Sequence, residues 1–142
     1  MSSAPGRGAI ALVRISGPLC SNVVEAFLLD SSGTALKAPD LLAARSYRCF
    51  VREEPGSDSI LDDGLFLFFR GPASYTGEDT LEISLHGNPV IARHFILSVC
   101  DRLNIRPADP GEFTRRAFQN GKLDLLEAEG VRRIIDARSI FE

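Results

Sequence analysis

Apart from one helical stretch, apolar positions up to about residue 88 alternate with polar ones or gather in short β-rich runs. Residues 9–15 read Ala-Ile-Ala-Leu-Val-Arg-Ile between Gly8 and Gly17-Pro18. That run predicts a strand buried on at least one face. Ser16 is placed to cap a helix over about 18–29, with Val23, Val24, Phe27 and Leu28 on one side. Residues 30–44 hold Asp, Ser, Gly and Pro and form a connecting loop. Over 46–52, Tyr47, Cys49 and Val51 alternate with Arg48, Phe50 and Arg52, the period of a half-buried strand. A turn around Pro55-Gly56 follows, then a strand over 65–69, a break at Gly71-Pro72 and a strand over 80–85. In the last, Leu81, Ile83 and Leu85 share one face and Glu82, Ser84 and His86 the other.

From residue 89 the period becomes 3.6. Ile91, Phe95, Ile96, Val99, Cys100 and Leu103 make one stripe of a helix over 89–103. Residues 105–108 suit a short strand. Pro110-Gly111-Glu112 opens a helix ending near Gly121, and a second runs over 123–141. The order βα, three strands, α, a short β, αα predicts an α+β fold, a mixed β-sheet of about five strands with helices packed on one face. The last helix reaches Glu142 without a cap, so the chain is expected to be cut from a longer protein.

Composition narrows the class. With 142 residues, 44% hydrophobic and 25% charged, the chain has the makeup of one globular domain and not of a disordered tail or a collagen-like repeat. No apolar run exceeds five residues, against the ~20 of a spanning helix. No signal peptide is visible, since Ser, Ser, Ala and Pro follow Met1. Sixteen basic against nineteen acidic residues leave no bulk charge for a polyanion, so little intrinsic nucleic-acid affinity is expected. Cys20, Cys49 and Cys100 form no C-x-x-C pair and read as buried thiols in a reducing compartment.

Three polar clusters carry candidate chemistry. The first is Pro5-Gly6-Arg7-Gly8 with Arg14. A glycine loop brings backbone N–H groups near an anion, though such a turn is more often only a turn. Arg14 interrupts an apolar strand, so it is paired, reaches a ligand, or lies on a solvated face. The second cluster spans Tyr75-Thr76-Gly77-Glu78-Asp79 and the Glu82, Ser84, His86 face. A carboxylate fixed at Glu82 is suited to accept two parallel hydrogen bonds from a planar amide-and-amine edge, as in a guanine or pterin ring. His86 is either a base or structural, and Glu78 and Asp79 either cap the turn or lie in solvent. The third runs from Pro110-Gly111-Glu112-Phe113-Thr114 through Arg115-Arg116 to Asn120-Gly121-Lys122-Leu123-Asp124. Asn120-Gly121 favours a left-handed turn that sets Lys122 at the junction of two helices. Leu123 after Gly121-Lys122, with no upstream glycine, excludes a phosphate-binding P-loop there. Neither a zinc-protease motif nor a serine nucleophile elbow is present.

Taken jointly, Pro5-Gly6-Arg7-Gly8-Ala9-Ile10, Val13-Arg14-Ile15-Ser16-Gly17-Pro18, Gly71-Pro72, Thr76-Gly77-Glu78-Asp79, His86-Gly87, Pro110-Gly111-Glu112-Phe113-Thr114, Arg116-Ala117-Phe118 and Asn120-Gly121-Lys122-Leu123-Asp124-Leu125 resemble the N-terminal domain of the MnmE/TrmE family of tRNA-modification GTPases. The likeness covers nearly all of the chain. It implies a fold similar to the folate-binding domain of the glycine-cleavage T-protein. Residues 1–120 would form a tetrahydrofolate-binding and homodimerisation domain, and 121–142 the start of a central helical domain. The GTPase domain, with its GTP, Mg and K, would lie outside this chain. The cofactor would be 5-formyltetrahydrofolate or a related one-carbon tetrahydrofolate. Carried over residue by residue, its contacts fall on Arg14, Glu82 and Lys122. Glu82 would hold the amino-pyrimidinone edge, while Arg14 and Lys122 compensate carboxylate charge or orient the one-carbon group. No catalytic residue and no metal ligand is implied.

The implied partners are a second copy of the chain, an MnmG-type flavoprotein, and tRNA through the full complex, with no membrane. With the flavoprotein, the whole protein would install an aminomethyl-type group at carbon 5 of the wobble uridine. The compartment would be bacterial cytoplasm or the mitochondrial matrix. Two other readings stand beside this one: a stand-alone folate-dependent aminomethyltransferase, and a dimerisation scaffold with no folate site. The chain departs from the family at Asn88, where a second glycine is usual; Asn tolerates the left-handed turn expected there. Asp109 stands in place of a common Arg, and Arg132-Arg133 replace more neutral positions. The strand that usually precedes Pro5-Gly6-Arg7-Gly8 is missing, which is expected to leave a sheet edge open.

Overall fold

The computed structural model describes Ser2, residues 6–42 and residues 44–137. One five-stranded sheet runs in the order β1-β5-β4-β3-β2, built from β1 (Ile10–Ser16), β2 (Leu28–Leu29), β3 (Ser46–Arg52), β4 (Ile60–Phe69) and β5 (Thr80–His86). The helices are α1 (Cys20–Phe27), α2 (Pro89–Leu103), α3 (Glu112–Gln119) and α4 (Leu125–Asp136), with a 3-10 turn at Ala38–Asp40. The α+β class therefore holds.

Alternation sorts the strands. Ala11 and Val13, Leu81, Ile83 and Leu85, Phe66 and Phe68, and Cys49 and Val51 are all buried. Helices α1 and α2 cover that face with Val23, Val24 and Phe27, and with Ala92, Phe95 and Val99. Phe27 and Phe95 meet edge to face, their ring centroids 5.7 Å apart. Each such side chain contributes about 1.5–3 kcal/mol by leaving water, so the two helices are held chiefly by this face. The alternate positions Arg14 and Glu82 point to the opposite face.

Several local expectations are corrected. Every strand pair is antiparallel, where a mixed sheet was anticipated. Short links over 53–59 and 70–79 join β3 to β4 and β4 to β5, and parallel pairing needs a long crossover. Strand β4 begins at Ile60, well before 65. Its early residues read as polar because Asp62 and Asp63 turn their carboxylates to His86 and Arg48. Helix α1 stops at Phe27, and Leu28–Leu29 pairs with Val51 and Phe50 as the edge strand. Residues 105–108 form no strand; Ile105 donates back to Cys100, and the Arg106 side chain is drawn to Glu112. Ser16 does not cap α1, whose N-cap is Leu19. Its hydroxyl is taken by Thr76 and Glu78, 2.7 and 2.9 Å away. Helix α4 starts at Leu125, with Asp124 and Glu127 forming a capping box. The expected continuation past residue 137 lies outside the described residues.

Candidate functional site

Strands β1 and β5 place Arg14 directly opposite Glu82. Nε and Nη2 of Arg14 both lie 2.7 Å from Oε1 of Glu82. The two side chains are 28% and 22% exposed, so the pair is reachable from solvent. A pair this wet is worth at most about 1 kcal/mol. It satisfies the demand made by a charged residue in an apolar strand without locking it. The Arg14 guanidinium also lies 5.6 Å from the centre of the Phe113 ring, a cation–π contact supplied by α3.

A cleft of about 890 Å³ opens beside Arg14. Phe113, Tyr75, Arg106, Ile96 and Val99 are among its walls, from α2, α3 and the flanking loops. Its size falls within the ~300–1,000 Å³ typical of small-ligand pockets. Arg14 belongs to the cleft wall; Glu82 and Lys122 do not.

Lys122 sits on the link between α3 and α4. Its ammonium donates to the Pro72 carbonyl at 2.9 Å, and Asn120 Nδ2 donates to the Thr76 carbonyl at 2.7 Å. These bonds lay the link against the loop over 71–79, which leads into β5. Gly77 has φ +81°, and a Cβ there would fall 3.1 Å from the Asn120 Cβ, so glycine suits both the backbone and the space. Gly121 takes the left-handed conformation expected of the turn, at φ +68°. Among the described residues no hydrogen bond or ion pair joins Lys122 to Arg14 or Glu82. The fold thus unites two of the three candidate residues and holds the third on the neighbouring loop.

The residues missed by sequence reasoning lie beneath. Glu112 is 3% exposed. Arg106 Nη1 and Nη2 reach its two oxygens at 2.8 Å each. Arg116 Nη2 reaches Oε1 at 2.7 Å and Arg116 Nε at 3.1 Å. The Asp109 backbone N–H donates to Oε2 at 2.8 Å. The Arg106 hydrogen bonds first, then the Asp109 N–H and Arg116, hold the Glu112 carboxyl down at about 2, against the smaller opposing effect of burial. Arg116 Nη1 continues to Glu78 Oε2 at 2.9 Å, and Glu78 to Ser16. The network ties α3, and with it Phe113, to the end of β1. Its one sequence signal was Arg106, Glu112 and Arg116 at spacings of six and four.

Other singled-out residues are structural. The hydroxyls of Thr76 and Thr80 lie 3.3 Å apart, and Asp79 Oδ1 accepts from the Gly71 N–H at 2.9 Å. His86 is exposed, clamped through Nδ1 and its backbone N–H onto Asp62 at 2.7 and 2.9 Å. That contact raises its pKa, the hydrogen bond first and the carboxylate charge second. The Gly8 N–H donates to the Gly87 carbonyl at 3.0 Å, and the Gly87 N–H donates to the Ala9 carbonyl at 3.1 Å. Asn88 is not left-handed: at φ −103° it is the N-cap of α2 and accepts from Val90 at 3.0 Å. Asp109 helps to hold Glu112 and meets Arg106 at 3.7 Å. Cys20 and Cys49 are buried, as read, and burial pushes both thiols up to about 12; Cys100 is only partly buried. No helix of the described residues is long and apolar enough to cross a membrane.

The family model for the N-terminus of the GTP-binding protein TrmE matches residues 1–122, and the chain belongs to that family. Curated relatives are described as tRNA modification GTPase MnmE. The one from Hyphomonas neptunium is 42% identical over 139 residues, covering 98% of this chain and 29% of the relative. The one from Leptospira interrogans is 42% identical over 142 residues, covering 100% and 30%. That from Photobacterium profundum is 44% identical over 135 residues, covering 95% and 27%. The chain therefore spans about 30% of the length of the curated relatives it matches.

Proposed function

We infer that this chain is the tetrahydrofolate-binding and homodimerisation module of a tRNA modification GTPase. The observation that carries the reading is the solvent-reachable Arg14–Glu82 pair, of which Arg14 lines the 890 Å³ cleft. Glu82 offers a carboxylate on a rigid strand to the amino-pyrimidinone edge of a one-carbon tetrahydrofolate such as 5-formyltetrahydrofolate. Arg14 and Lys122 supply positive charge for the rest of the ligand. Lys122 is held against the neighbouring loop over 71–79, its ammonium donating to the Pro72 carbonyl. The chain itself holds the one-carbon donor and carries no catalytic residue.

In the whole protein, a GTPase domain outside this chain would bind GTP, Mg and K. The protein would work with an MnmG-type flavoprotein on carbon 5 of the wobble uridine of tRNA. The domain boundary at 120–121 is supported by the end of the family match at residue 122. It is supported too by α4, which leaves Leu125, Leu126, Ile134 and Ile135 exposed, Leu126 at 78%, as expected of a helix meant to join further helices.

The test is calorimetric titration of the 142-residue chain with 5-formyltetrahydrofolate alongside its mass in solution. Saturable binding by a dimer is the expected result. A folded chain that binds nothing, or remains a monomer at tens of micromolar, would refute the corresponding half of the reading.

A further inference from the structure

We propose that Arg14 is a latch on Glu82: its guanidinium holds the carboxylate in the ligand-free protein, and a ligand with a planar amino-pyrimidinone edge displaces it. The inference rests on the folate reading of this site and adds how the site opens. Nε and Nη2 of Arg14 both fall on Oε1, each at 2.7 Å. Among the described residues, Oε2 receives no hydrogen bond. The guanidinium and the 2-amino-pyrimidinone edge share the same N–C–N donor pattern, so they compete for one acceptor. They do not use it equally well. The edge lays two parallel N–H bonds on two oxygens, the stronger bidentate arrangement, whereas Arg14 crowds both donors onto one.

The displaced side chain keeps a partner. Phe113 lies 5.6 Å from the guanidinium, and both residues line the 890 Å³ cleft. Phe113 stands one residue after Glu112, which Arg106, Arg116 and the Asp109 N–H hold in place. The ring, already in contact with the guanidinium, is therefore a fixed support that it keeps when Glu82 is taken. Arg14 gives up the carboxylate and keeps the aromatic face beside the ligand it now borders, so the site keeps its positive charge while Glu82 changes partner.

Two readouts test the latch. In the parent chain, the Arg14 Nε–H resonance, assigned by its loss in Arg14→Lys, is followed while 5-formyltetrahydrofolate is added. It should leave its ion-paired position at saturation. Pterin, which has the edge but no glutamate tail, is then titrated into the parent and into Arg14→Met. Removing the competitor should tighten pterin about threefold, the size of a part-exposed ion pair, while the tailed ligand gains less or weakens. An Nε–H signal unmoved at saturation, or pterin bound no more tightly by Arg14→Met, overturns the latch and leaves the folate site standing. If 5-formyltetrahydrofolate does not bind the parent, the folate reading fails and the latch falls with it.

Discussion

Nη1 of Arg116 lies 2.9 Å from Oε2 of Glu78, and this ion pair joins α3 to the loop that enters β5. The same guanidinium holds the buried Glu112, so one side chain spans two motifs far apart in the chain. Glu112→Gln keeps the shape but removes the charge that two arginines face. It should lower stability by about 2–3 kcal/mol, the cost of disrupting a buried charged hydrogen-bond cluster. Urea denaturation measures the loss. A change below a few tenths of a kcal/mol would show that the network is a passive decoration.

The same carboxylate makes stability depend on pH. Its pKa is held at about 2 in the folded chain, below the ordinary carboxylate value of 4.5. A depressed acid stabilises above its unfolded pKa, and that stabilisation fades as pH falls through the folded value. The parent should therefore lose stability from about pH 4.5 down towards pH 2, and Glu112→Gln should show a shallower loss across that window. Parallel slopes in the two proteins would place the acid sensitivity elsewhere.

Glycine substitutions should split by position. A Cβ on Gly87 would run into the Gly8 carbonyl oxygen and the neighbouring backbone. Gly87→Ala must then shift β5 against the segment before β1, at a cost above about 2 kcal/mol and with weaker folate binding. Gly130, within α4, has open space around it, and Gly130→Ala should stabilise by about 0.5–1 kcal/mol. Thermal unfolding of both variants checks the pair.

The packed face predicts a larger effect. Phe95 is fully buried against Phe27. Phe95→Ala should cost about 3–5 kcal/mol, whereas Leu126→Ala on exposed α4 should cost under about 0.5 kcal/mol in this chain. Equal losses would mean that α4 is packed in solution.

The fold class was legible because two periods dominate: alternation in β3 and β5, and the 3.6 stripe of α2. What was hidden followed from tertiary partners. Asp62 and Asp63 concealed the first half of β4, since their pairing with His86 and Arg48 cannot be seen from local polarity. Leu28 and Leu29 continue the apolar side of α1 and look helical, yet an open sheet edge claims their backbone. Residues 105–108 have strand-like composition, but Arg106 is turned towards Glu112. At the site, Arg14 and Glu82 stood out as charges on a strand face, and their register across β1 and β5 brought them together. Glu112 did not stand out, because an acid in a first helical turn is ordinarily a solvated cap; only the meeting of α3 with the loop over 104–111 buries it.

The central claim is that Glu82 is the acceptor for a folate ring. Its most direct test is the affinity of Glu82→Ala for 5-formyltetrahydrofolate, measured by calorimetry on protein shown by circular dichroism to be folded. Loss of a charge-assisted hydrogen bond of about 2 kcal/mol predicts at least about thirtyfold weaker binding than the parent. A folded Glu82→Ala chain that binds as tightly as the parent would contradict the assignment.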